Sequence, residues 1–204
     1  MKTSVLNKIM TNLILPDKFT KKGRLAYYIV SHKTGLVVLV GLYLDNSIDS
    51  TSFIVYYFVQ CLYEPFGALN FSLGERIGTY WSIDSTSELQ KGINEIANLD
   101  ELNTFDDFLM FLNNHPFYGD KLSRDSYLAF TYFILGHYDK SLFYLDEIIS
   151  TERDVNFNSC SKEVKNAQLI KRFIIDRDYD KGISQLLQWQ SQTIKDLGLK
   201  ICNG

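Results

Sequence analysis

Leu36-Val-Val-Leu-Val-Gly-Leu-Tyr-Leu44, the polar break Asp45-Asn-Ser-Ile-Asp-Ser-Thr51, and Phe53-Ile-Val-Tyr-Tyr-Phe-Val-Gln-Cys-Leu-Tyr63 set the architecture. Neither apolar run carries a charge, and both are rich in β-branched and aromatic residues, which suit a pleated, packed surface. Their spacing predicts two adjacent antiparallel strands joined by the polar loop, at the centre of a sheet that the rest of the chain covers.

Working outward toward the N-terminus, Val5, Leu6, Ile9 and Leu13 share one helical face. This predicts an amphipathic helix over Ser4–Leu15, stopped by Pro16. Asp17-Lys-Phe-Thr-Lys-Lys-Gly-Arg24 reads as a basic turn. Its charges allow phosphate contact, but Phe19 is the only aromatic among them, so a solvated turn is the simpler reading. Arg24–Ser31 is a first strand, and His32-Lys-Thr-Gly35 its turn.

On the other side, Pro65 ends strand pairing because it has no N–H to give a ladder. Gly74-Glu-Arg-Ile-Gly78 reads as a tight loop, and Thr79–Ile83 as a last short strand. The loop lacks the GxxxxGK[ST] pattern of a phosphate loop. Ser85-Thr-Ser-Glu88 is a capping-box sequence ahead of Leu89, Ile93, Ile96 and Ala97 at helical spacing. Thr104-Phe-Asp-Asp107 opens a second helix, with Phe108, Leu109 and Leu112 inward, ending near His115-Pro116. From Ser123 to Leu197 the pattern is helical, with one gap around Asp154–Ser161.

That helical region contains a repeat. Tyr138-Asp-Lys and Tyr179-Asp-Lys lie 41 residues apart, each between two apolar helical stretches. This predicts stacked α-hairpins. The first copy resembles a tetratricopeptide unit, with Ala129, Tyr132, Gly136, Tyr138 and Leu145 at that motif's small, aromatic, Gly, aromatic and large apolar positions. Ser141 stands where Ala is usual, and Arg177 where the second copy should have Gly.

The totals bound function. Apolar residues are 46% and charged residues 22% of 204, ordinary for a globular chain that can bury a core without staples. With 14 Phe and 13 Tyr, many rings are expected half buried with the hydroxyl wet. A net charge of −3 gives no general drive toward nucleic acid or anionic membrane. No apolar run reaches the roughly 18 residues of a membrane span, and the N-terminal residues lack a signal-peptide core. Cys61, Cys160 and Cys202 form no CxxC and read as reduced thiols. The expectation is a soluble, cytoplasmic protein with no cofactor.

Catalytic constellations are weak. His32, His115 and His137 fall in no metal-binding spacing, and nothing predicts a zinc site. Cys61 sits in an apolar strand, where it acts as a small hydrophobe. Cys160 is a loop thiol without a visible base, and no Ser sits in G-x-S-x-G. Asp106-Asp107, Asp45, Asp49 and Glu75 are available carboxylates, although Asp106-Asp107 is already explained by a helix first turn. Glu75-Arg76, followed by Tyr80 and Trp81, brings together residue types enriched in binding hot spots; the competing reading is an Arg locking its loop to the sheet. With the repeat's Tyr132 and Tyr138, these are the candidate partner-binding residues. No catalytic or metal residue is assigned.

Leu6 to Leu112, about half of the chain, resembles the bacterial domain-of-unknown-function 4304 family. The resemblance rests on a leading helix, Phe19-Thr-Lys-Lys-Gly23, a strand pair, Arg76-Ile-Gly78, Trp81 and two closing helices. It implies an α+β domain with an antiparallel sheet and carries no activity. By analogy, small α+β proteins of this kind accompany bacterial toxins as immunity or accessory proteins.

The architecture expected is α+β: an antiparallel sheet of about four strands with packed helices in residues 1–120, then tetratricopeptide-like α-hairpins in 121–204 packed on it. The function expected is a protein-binding module, of the immunity or antitoxin-like kind that occludes a toxin or effector. The alternative is a small carboxylate- or metal-dependent hydrolase or nuclease.

Overall fold

The structure is a computed structural model and describes residues 1–49, 51–96, 102–119, 121–154 and 162–200. Ala97, Cys160 and Cys202 lie outside the described residues. The two apolar runs are the paired central strands β3 (Val37–Asn46) and β4 (Ser52–Cys61), in register from Val38 opposite Cys61 to Asn46 opposite Phe53. They belong to a five-stranded antiparallel meander that also contains β1 (Thr20–Lys22), β2 (Leu25–Ser31) and β5 (Gly74–Ser82), in chain order across the sheet.

Two strands differ from the sequence reading. The basic turn contains β1, whose polar residues are tolerated because it is a short edge. Gly74–Gly78, read as a tight loop, is the first half of β5. The glycines mark a close approach and a bulge instead. A Cβ on Gly74 would lie 2.1 Å from the Tyr57 carbonyl oxygen.

Seven helices surround the sheet among the described residues: α1 (Thr3–Asn12), α2 (Thr86–Asn94), α3 (Phe105–Asn114), α4 (Lys121–Ile134), α5 (Tyr138–Asp154), α6 (Lys162–Ile175) and α7 (Tyr179–Leu197). The first helix ends earlier than Pro16 requires, because Leu13 is already extended. The cap before α2 is Ser82 with Ser85, around a 3-10 turn, rather than Ser85 with Glu88. Thr104-Phe-Asp-Asp107 opens α3 as expected, and the structure adds a capping box there: Asp107 N–H donates to Thr104 Oγ1 at 3.1 Å, and Thr104 N–H donates to the Asp107 carboxylate at 2.9 Å.

Strands that are apolar on both sides must be covered on both sides. One face presents Val38, Val40, Leu42, Val55, Tyr57 and Val59 to a single buried cluster that also holds Leu6, Phe108, Phe130 and Leu186. The other face presents Leu25, Tyr27, Val37, Leu39 and Phe58 to the loop after β4 and the end of α7. Helix α7 therefore reaches both faces, and Gln190 marks the crossing. Its Oε1 accepts from Val37 N–H at 2.7 Å and its Nε2 donates to the Gly35 carbonyl at 2.9 Å.

The basic cluster finds its use here. Lys21 and Lys22 alternate across β1 and serve opposite faces. Lys21 Nζ donates to the Thr11 carbonyl at 3.0 Å, and Lys22 Nζ to the Gly198 carbonyl. Each ammonium meets the negative end of a helix, α1 in one case and α7 in the other.

The repeat is visible in the backbone. His137 N–H bonds the Tyr132 carbonyl and Gly136 N–H that of Phe133; Asp178 and Arg177 do the same to Phe173 and Ile174. Both turns place one residue at positive φ, Gly136 at 78° and Arg177 at 57°. Tyr138 and Tyr179 stack on one another, centroids 4.1 Å apart and planes 4° off parallel.

Candidate functional site

Strand β5 is an edge of the sheet. The ladder with β4 shifts register between Phe53 and Val55, a bulge that Gly78 accommodates at φ 64°. The Trp81 indole folds back over this bulge. Its N–H donates to the Ile77 carbonyl at 2.6 Å, and a Cβ on Gly78 would stand 2.7 Å from the ring. Trp81 also packs beside Gly92 of α2. It fastens the edge strand to the helix, so its contribution to a surface is to position its neighbours.

Glu75 and Arg76 point to opposite faces, since Glu75 opposes the core residue Tyr57 and Arg76 opposes Tyr56. The Arg76 guanidinium lies over the Tyr80 ring, 4.4 Å from its centroid, and Tyr80 is 57% exposed. Tyr56 is stacked in turn with Phe71 at 4.8 Å. Of the six candidate residues, Glu75, Arg76, Tyr80 and Trp81 thus share one edge strand but not one face. Tyr132, 7% exposed, is held between helices against Tyr144. It is not available to a partner, because its position in the hairpin is a packing position. Tyr138 is half-buried in the stack with Tyr179, and neither tyrosine lies on the β5 edge.

Beyond Trp81 the chain enters a groove of about 420 Å³ between α1 and α2. Val5, Ile9 and Leu13 form one wall, Thr86, Ser87 and Gln90 the other, and Ile14 and Ile83 stand at its rims. Ile14 is 77% exposed and Ile83 47%. The backbone of Ile14 is pinned in this outward position. Its N–H donates to Gln90 Oε1 at 2.8 Å, and its carbonyl accepts from Gln90 Nε2 at 2.9 Å. A side-chain amide thus satisfies both backbone groups of a residue that the helix has released. Ile14 and Ile83 are not among the residues singled out from the sequence. The available signal was Leu13-Ile14-Leu15 before Pro16, where an extended apolar triplet must turn its middle residue away from the other two.

Several titratable groups of the sheet and its adjoining turns have structural partners. Cys61 S–H donates to Tyr63 Oη at 3.2 Å, and Tyr63 and Thr131 hydroxyls are 2.7 Å apart. Because Thr131 Oγ1 donates to the Tyr127 carbonyl at 2.6 Å, the Tyr63 hydroxyl gives its proton to Thr131. Burial pushes both the Cys61 thiol and the Tyr63 phenol well up, so this chain is a neutral core network. Burial also raises Tyr57. His32 meets Thr34 and the Phe105 ring, and burial lowers its pKa; His115 stacks on Phe111 at 4.4 Å. Asp45 pairs with Arg24 at 3.3 Å, and Asp49 binds Thr51. Among the described residues no three His, Cys, Asp or Glu side chains lie together as a metal site would require. No described helix is long and apolar enough to cross a membrane.

Comparison with family models, curated proteins and solved structures returned no match. The fold and the geometry of these residues therefore carry the functional reading alone.

Proposed function

We propose that the chain is a protein-binding module that meets its partner along Arg76–Ile83 and the adjoining groove. The observation that carries this is the ordered exposure of large side chains along one run: Tyr80 beneath Arg76, then Ile83 at the groove rim facing exposed Ile14. Aromatic, Arg and aliphatic anchors held by a rigid frame are the make-up of an interface centre, since little side-chain entropy remains to be lost on binding. Occlusion of the partner, in the manner of an immunity or antitoxin protein, is the form of binding we favour. A domain-4304-like origin would agree with it.

Photo-crosslinking in the source organism tests the reading. A benzoylphenylalanine at position 80 or 83 is expected to give a discrete adduct, and one at the exposed Gln188 of α7 is not. Adducts absent from both, or equal from all three, overturn it.

A further inference from the structure

The peptide unit between Leu13 and Ile14 is held at both ends. Its carbonyl, that of Leu13, accepts from Lys21 Nζ at 2.5 Å, and its N–H, that of Ile14, donates to Gln90 Oε1 at 2.8 Å. A peptide unit is planar, so two held ends stop the plane from turning about its Cα–Cα axis. That turn would change ψ of Leu13 and φ of Ile14 together and swing the Ile14 side chain off the groove rim. The clamp closes from two elements, Lys21 from β1 and Gln90 from α2. Each jaw is steadied by a further bond: Gln90 Nε2 donates to Asn94 Oδ1 at 2.8 Å, and Lys21 Nζ to the Thr11 carbonyl at 3.0 Å. Leu13 is 5% exposed and anchored in the main cluster, whereas Ile14 is 77% exposed. Burial fixes the first of these residues, and the clamp fixes the second.

We infer that Lys21 is a positioning residue of the binding surface: its ammonium, seated on the Leu13 carbonyl, sets the direction of Ile14 at the rim, so that the rim is kept or lost with that one charge. This rests on the protein-binding reading and names what controls one side of its surface. An ammonium suits the task because its three donors can reach the Thr11 and Leu13 carbonyls at once. A bond from a charged donor is also about twice as strong as one between neutral groups. Lys22 is a matched control. It has the same charge on the same strand, but it turns to the other face and donates to the Gly198 carbonyl.

Lys21→Met keeps the aliphatic stem and removes the donors. In the full chain, hydrogen exchange at the Ile14 amide is expected to speed up about tenfold, the scale of one charge-assisted hydrogen bond, and the photo-adduct from benzoylphenylalanine at position 83 to fall by a similar factor. Lys21→Arg is expected to restore both, and Lys22→Met to leave both at the parent values. Gln90→Leu opens the other jaw and is expected to give the same pair of changes from the α2 side, which keeps the test open if Lys21→Met fails to fold. Unchanged exchange at Ile14 in Lys21→Met, or faster exchange with an undiminished adduct, overturns the assignment. Equal losses in Lys22→Met overturn it too. A parent chain that gives no adduct at positions 80 and 83 overturns the wider reading instead, and the exchange measurement, which needs no partner, tells the two failures apart.

Discussion

Asp107 shows how much one half-buried carboxylate does for a helix. It accepts from Thr104 Oγ1 at 2.8 Å and from the Thr104 and Asn103 amides, and these bonds, the Thr104 hydroxyl first, hold its pKa below the ordinary carboxylate value. A depressed folded-state pKa means stability that is present above the unfolded pKa and lost as pH falls through the folded one. Asp107→Ala is therefore expected to cost about 1 kcal/mol in urea titration at neutral pH. The difference from the parent chain should close as pH drops below about 3.9. A gap that stays constant into acid would show that the cap works without its charge. The start of this helix was legible at Thr104-Phe-Asp-Asp107 because it is a local pattern, but its capping box was not, and the box read at Ser85–Glu88 proved to be Ser82 with Ser85. Ile14 was missed although its triplet is local, because what pins it outward is Gln90, 76 positions away.

The two hairpin turns offer a matched comparison between elements. Gly136 has open space where a Cβ would be, so only its backbone conformation matters there, whereas Arg177 adopts the left-handed region with a side chain. Gly136→Ala is expected to destabilise, and Arg177→Gly to stabilise, each by about 1 kcal/mol in chemical denaturation. Equal stabilities for the parent chain and the Arg177→Gly variant would mean that the arginine side chain compensates the strain. The repeat was visible in Tyr138 and Tyr179 because stacked elements repeat their contacts; the smallness of Ser141 and Gly182 has the same origin. Ser141 donates to the Ala129 carbonyl at 2.8 Å, and a Cβ on Gly182 would come 2.3 Å from the Phe133 ring. Strand β5 was harder to read. Gly74 and Gly78 signal a turn in sequence terms, but here one serves close contact with β4 and the other a bulge under Trp81.

At the scale of the molecule, sheet and hairpins share one buried cluster, in which Val38 and Tyr57 belong with Phe130, Ile170 and Leu186. A chain with one core unfolds as one unit. Calorimetry is expected to show a single transition with equal calorimetric and van't Hoff enthalpies. Two resolved transitions would mean that residues 1–120 and 121–204 hold independently. Gln190→Leu tests the clasp between them. It strands the Val37 N–H and the Gly35 carbonyl, and is expected to cost about 1–3 kcal/mol, with faster hydrogen exchange at Val37. The central strands could be read from the chain because both of their faces are apolar. The identity of the cover on the second face could not, since α7 looks like any amphipathic helix until its end is seen to turn the corner of the sheet.

That corner has a consequence for synthesis. Val37 leaves the ribosome 153 positions ahead of Gln190, the residue that seals it. At ordinary translation speeds of about 5–20 residues per second, Tyr27, Leu39 and Phe58 wait roughly 8–30 s for their lid. A nascent chain with a greasy flank bare for that long is a natural client for a ribosome-bound chaperone.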